Sequence, residues 1–348
     1  MRPPRPFRPA ACARGLTLVE LMVGLVLGMF AIAVVGMVYV GSLRTYTSQE
    51  AGARLQENVR LVSDMLAGDL RMGGFRGCAG PASLVNTLNR PGDLANDFAR
   101  PVWGAHPGAG GWVPALAAPV AALAPSARGD VPLIRRPVAP GWSLTGTMAS
   151  PEAAVGFRPT AAFARGDILL VSDCAAAAVL QATNDAPGPA GEVLHAAGVP
   201  GLLPGVATAN LGRAFAADAM VWRLQALVYH LADSQRQPGR SALWLLRQPA
   251  YDGAEALTEV ASGVDAMVVQ YALDSDADGS ADRVVPAAQV GDWRQVVGVR
   301  VELLLSSEAR TATSAAQPYT FDGTTVTPQD RRLRSVAVVS ASLRNALP

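Results

Sequence analysis

Residues 14–41 read RGLTLVELMVGLVLGMFAIAVVGMVYVG, and the architecture of the chain turns on how this stretch is understood. From Leu21 to Val40 no residue carries a charge. At about 1.5 Å of rise per residue this makes a helix roughly 30 Å long, the thickness of a bilayer's hydrocarbon core. Upstream stand Arg2, Arg5, Arg8 and Arg14, with no acid among them. Positive residues ahead of an apolar span stay on the cytoplasmic side, so the chain beyond Val40 is expected outside. One residue does not fit a plain anchor. Glu20 sits a helical turn into the apolar run, and an intramembrane carboxylate costs about 2.5–3.5 kcal/mol at a helix centre, less near an interface. A group in that setting normally has a partner.

Composition narrows the rest. A chain of 348 residues makes one large domain or two ordinary ones with a real core. Half the residues are hydrophobic and 16% are charged, which excludes a disordered chain. A net charge of +1 gives no electrostatic case for nucleic acid or an acidic surface as partner. All 29 basic residues are arginine, so Schiff-base chemistry and isopeptide bonds through its own lysines are excluded. The cysteines, Cys12, Cys78 and Cys174, form no CxxC, and His106, His195 and His230 lie far apart, so nothing supports a zinc site. There is no GxSxG, P-loop or HExxH, and an enzyme is not expected.

The head of the chain admits several readings. A secretory signal peptide would be shed, but the apolar run exceeds the usual length of about 7–15 residues and VGSLRTYTSQ offers a weak cleavage site. A plain signal anchor leaves Gly15 and Glu20 as accidents. A lipoprotein signal at Cys12 fails, because RPAA ahead of it has no apolar stretch. The hexapeptide Gly15-Leu16-Thr17-Leu18-Val19-Glu20, following a short basic leader and followed by the apolar run, closely resembles the processing motif of type IV prepilins. The resemblance implies cleavage between Gly15 and Leu16 by a prepilin peptidase, N-methylation of Leu16, and retention of the helix. Leu16 departs mildly from the Phe or Met that most family members carry there. Cleavage would create a cationic amine one turn from Glu20. In a filament core, Glu20 of one subunit would meet the amine of its neighbour, a pair that sets axial register rather than stability. Gly24 and Gly28 add a small-xxx-small spacing compatible with close helix approach.

Helical character continues beyond the span. Leu55, Val59, Val62, Leu66 and Leu70 recur at spacings of three and four, with most charges elsewhere, and Gly73-Gly74 reads as a stop. From Leu16 to Met72 such a helix is roughly 85 Å long. After it the chain turns Ala-, Gly- and Pro-rich, and no period persists to about Arg165, so that region is expected to be an irregular surface excursion. Strand signals follow in GDILLVSD, AVLQAT, VWRLQALVYHL, SALWLLRQ, MVVQYAL, VVGVRVELLL and RSVAVVSASL, with DSQRQPGR as a polar hairpin turn. A long helix first and antiparallel strands later make an α+β fold. The expected organisation is a leader at 1–15, a transmembrane or filament-core helix at 16–41, its amphipathic continuation at 42–74, the irregular region at 75–165 and a β-rich periplasmic or pilus ectodomain at 166–348.

Several stretches resemble PilW-type minor pilins: LQENVRLVSDMLAGDLRMGGFRGC, GDILLVSDCAAAAVLQAT, GVDAMVVQYALDSDADG with the following VVGVRVELLL, and DRRLRSVAVVSASLRN. The resemblance implies an inner-membrane subunit, its C-terminal domain periplasmic, that enters a type IV pilus at or near the tip, primes assembly and serves motility or adhesion. Its partners would be other major and minor pilins through the N-terminal helix. A minor pseudopilin of a type II secretion system shares leader, helix and large ectodomain. A signal-anchored, calcium-binding adhesion protein is the reading from another class.

Two candidate features lie outside the membrane. Cys12 leaves with the leader, so Cys78 and Cys174 remain as an even pair in an oxidising compartment, where a disulfide is expected. In DSDADGSAD, Asp274, Asp276, Asp278 and Asp282 fall at positions 1, 3, 5 and 9 of an EF-hand-like loop, with Gly279 at 6. Alternating hard oxygen ligands suit Ca²⁺. Position 12 is Val285 instead of a bidentate Glu, so Asp292 or backbone carbonyls would have to complete the shell. The competing reading is an Asp-rich hairpin turn, which favours the same residue types. Arg331, Arg332 and Arg334 form a basic cluster beside Asp330 and read as a solvated strand end. Loss of the leader removes four arginines and leaves acids in slight excess, so no nucleic-acid partner is expected.

Overall fold

The structure is a computed structural model that describes residues 16–80, 83–160, 162–251, 253–309 and 312–346. The expected leader with Gly15 lies outside them. One helix, α1 (Leu18–Arg71), runs unbroken for 54 residues. Its sequence has no proline, Thr17 caps its start, and the chain turns out of it at Met72. Gly74 then takes φ +69°, and a Cβ there would stand 2.7 Å from Cγ of Pro101. Only glycine fits that turn. The second half of α1 buries Leu55, Val62, Leu66 and Leu70 of the stripe expected from the periodicity, with Val59 partly buried and Ala51 buried in addition. Burying each large aliphatic side chain contributes about 1.5–3 kcal/mol. That is why the helix docks.

The strands are β1 (Leu84–Asn86), β2 (Val102–Gly108), β3 (Gly111–Val113), β4 (Val131–Ser143), β5 (Val155–Gly156), β6 (Ile168–Ser172), β7 (Ala177–Gln181) and β8 (Glu192–Val193). They continue with β9 (Met220–Asp233), β10 (Ser241–Gln248), β11 (Leu257–Ser262), β12 (Val264–Leu273), β13 (Arg283–Pro286), β14 (Val296–Ser306), β15 (Tyr319–Phe321), β16 (Thr324–Val326) and β17 (Arg334–Ser342). A nine-stranded sheet has the order β1-β7-β6-β9-β4-β2-β3, with β10 also pairing β9 and β11 pairing β10. A four-stranded antiparallel sheet has the order β13-β12-β14-β17. Among the described strands, only β1 and β7 pair in parallel. The fold is α+β: a long N-terminal helix on mostly antiparallel sheet.

The two sheets meet at Gly263, where β11 passes into β12. Its φ is +81° and a Cβ would lie 2.6 Å from the Ser306 carbonyl oxygen, so the corner requires glycine. The main core joins α1 to both sheets through Leu66, Tyr229, Leu243, Val269, Val301 and their neighbours. Two smaller clusters, around Phe157, Phe163 and Val221 and around Phe98, Leu170 and Trp222, fill the lobe beyond the end of α1.

Residues 75–165 are not the irregular excursion that their composition suggests. They supply β1 to β5, and β4 lies between β9 and β2 in the large sheet. Val131–Arg135 are all buried, so both faces of the strand are covered and no alternation is left to read. β2 pairs β4 only over Val131–Ile134, so Pro137 stands where β9 is its one strand neighbour and its missing N–H disrupts no second ladder.

Candidate functional site

The most unusual surface is the first half of α1. Every residue from Leu18 to Val40 is exposed, and none touches the ectodomain core. It is the one described helix long and apolar enough to cross a membrane. A Cβ added at Gly24 or Gly28 would meet nothing within 4 Å, so this face has room for a close neighbour. Leu16, the expected first residue after cleavage, is also exposed.

Glu20 already has a partner inside its own helix. Oε2 accepts from the Thr17 backbone N–H at 3.0 Å and from the Thr17 hydroxyl at 3.0 Å, while the Glu20 N–H donates to Thr17 Oγ1 at 3.2 Å. This reciprocal capping box satisfies helix-start donors that lack intrahelical acceptors. Thr17 is therefore a site residue that the sequence reading passed over, although T-x-x-E ahead of an apolar run is a legible signal. Both members lie beyond the Gly15–Leu16 bond. The box would survive a cut there.

Cys78 and Cys174 are bonded, closing a span of 96 residues. The bond ties the segment after α1 to the β6–β7 turn. Ser172 Oγ donates to the Arg76 carbonyl at 2.5 Å beside it, and Phe75 meets Trp222 edge-on at 5.6 Å.

The Asp-rich loop closes a hairpin between β12 and β13, with Leu273 opposite Arg283. Asp274, Asp276 and Asp282 bring one carboxylate oxygen each within 4.8 Å of one another. Asp278 is not in that group, and its Oδ1 accepts instead from the Ser280 N–H at 2.7 Å. Asp274 accepts from the N–H groups of Ala277 at 2.7 Å and Gly279 at 2.9 Å, and Asp282 from that of Ser275 at 2.6 Å. Desolvation opposes ionisation of Asp274, but these backbone donors outweigh it and hold the carboxyl below its usual range. Repulsion from Asp278 pushes Asp276 up. Asp292, the expected completing ligand, is engaged by Arg294 at 3.0 Å. Three carboxylates whose oxygens already serve the loop fall short of the six to eight oxygens that calcium takes. Any ion here would rely on water and backbone oxygens for the remainder.

The basic cluster is less solvated than expected. Arg334 pairs with Asp330 at 2.7 Å, and Arg332 donates to the Ser307 and Glu308 carbonyls at 2.6 Å each. These arginines fasten the start of β17 to the end of β14.

Residues 228–345 match the family model described as PilW, Type IV Pilus-assembly protein W. The matched stretch holds β10 to β17 with the C-terminal part of β9, and so contains the whole four-stranded sheet. Among solved structures, a type IV-like pilin from Thermus thermophilus is similar at 13% identity, with 85% of this chain and 99% of that chain covered and a TM-score of 0.33. No curated protein matches the chain significantly.

Proposed function

We propose that this PilW-like type IV pilin is a minor pilin, inserted in the inner membrane through α1, cleaved after Gly15 by a prepilin peptidase, methylated at Leu16 and built into a type IV pilus at or near its tip. Its role there is structural. It primes assembly with other pilins and presents the ectodomain at the cell surface for motility or adhesion.

The observation that carries this reading is the division of α1. Its second half is committed to the ectodomain core, while its first half is apolar, unaccompanied and headed by a capped acid. Lipid covers such a surface before assembly, and neighbouring helices cover it in a filament. The size of the ectodomain favours a minor position, since so large a domain would crowd every place along a fibre. The PilW match favours a pilus over a type II secretion pseudopilus.

Mass spectrometry of sheared surface fibres tests the reading. The expected result is this chain in small amount, beginning at methylated Leu16. Its absence from fibres, or an N-terminus still at Met1, would return it to the class of signal-anchored surface proteins.

A further inference from the structure

We propose that the ectodomain holds a buried site for one small monovalent anion of chloride size, seated against Arg135 where β4 passes beneath the segment that joins β1 to β2. The inference is independent of the pilus reading.

A cavity of about 10 Å³, on the scale of a single water or monatomic ion, is bounded by Arg76, Arg135 and Arg136 and by apolar walls that include Phe75, Phe98 and Leu170. Among the described residues no Asp or Glu lines it. Arg135 is only 2% exposed. Its Nη1 donates to the Arg100 carbonyl at 2.8 Å and its Nη2 to the Leu94 carbonyl. Its Nε is buried and has no acceptor among the described residues. Among the described residues no carboxylate forms an ion pair with it. Asp97 acts on it electrostatically, but Arg100 already holds that carboxylate at 2.8 Å. Arg136 has its own counter-charge in Asp69 at 2.8 Å. Burial pushes the Arg135 guanidinium down to about 10, which still leaves it charged at neutral pH.

A buried cation faced by two neutral carbonyls and one shared acid lacks compensation. Water would supply Nε with an acceptor and leave the charge unbalanced. A halide does both. The small volume and the apolar walls exclude sulfate or phosphate, whose oxygens would need more room and more donors. Bound there, the anion would fasten the β1–β2 segment to β4 just beyond the end of α1.

The test uses the full chain in detergent. Its thermal midpoint is followed as chloride replaces gluconate at constant ionic strength, from about 1 to about 100 mM, and the expected rise is about 5 °C if binding is near millimolar. Sulfate should give no such rise, and Arg135→Gln should flatten the chloride dependence. Crystals soaked in bromide decide the matter even if that variant does not fold, and an anomalous peak beside Arg135 Nε is expected. A flat midpoint, bromide bound only elsewhere, or water alone in the cavity would overturn the assignment.

Discussion

At Glu20 both hydrogen bonds from Thr17 converge on Oε2, and Oε1 has no donor among the described residues. One oxygen thus answers to the helix's own start while the other is available to a cationic neighbour. Thr17→Ala should weaken the first turn by about 1 kcal/mol, the usual worth of an N-cap, and speed amide exchange at its first residues. Glu20→Ala should leave membrane insertion intact. If the chain is built into fibres as proposed, its incorporation should drop by roughly tenfold, the equivalent of one charge-assisted hydrogen bond of about 1.5 kcal/mol. Fractionation and immunoblotting of sheared pili would measure both, and normal incorporation would count against pairing between subunits. For the Asp loop, calorimetry of the full chain with Ca²⁺ should show weak binding, about millimolar, abolished by Asp276→Asn. Silence at those concentrations leaves the loop a turn.

Two elements carry the junctions of the molecule. α1 is held by its apolar stripe mainly against β17 of the four-stranded sheet, and to the large sheet by Asp69, which accepts from the Tyr229 hydroxyl at 2.5 Å and pairs with Arg136 of β4. Leu66 is fully buried at the centre of that stripe. Leu66→Ala should cost about 2–5 kcal/mol, seen as a lower urea midpoint at unchanged slope. β17 is clamped by Asp330. The hydrogen bond from Arg334 leads the effects that lower this carboxyl to about 2 from an ordinary 3.8. A depressed carboxyl stabilises the fold above its unfolded value, and the contribution is lost as pH falls from about 4 towards 2. Arg334→Gln should therefore shrink the loss of stability across that window, and midpoints of unfolding at a series of acid pH values would show it.

At the scale of the whole molecule, the disulfide and the sheet corner decide how the lobes stay together. Cys78→Ser with Cys174→Ser should lower stability by about 2–4 kcal/mol, measured by denaturant unfolding against the oxidised parent. The strands on either side remain paired through β6 and β7, so the double variant should keep its fold. Reading the chain in one dimension was enough for α1, because length, apolar content and a recurrence of three and four are local properties. It was enough for β9, β10, β12, β14 and β17 as well, since β-branched runs flanked by polar turns announce themselves. It was not enough for β4. Alternation records which side of a strand faces water, and Val131–Arg135 has no such side. Nor could it separate Arg135 from Arg136, adjacent in sequence, the second paired with Asp69 and the first buried without an ion-pair partner among the described residues. Asp274 and Asp278 likewise look equivalent in DSDADGSAD until the backbone turns one inward and the other away. Sequence alone determined the long helix, its bare and docked halves, and the α+β class. Tertiary structure alone decided which polar groups were enclosed together, because burial depends on what the rest of the chain brings across from the other side.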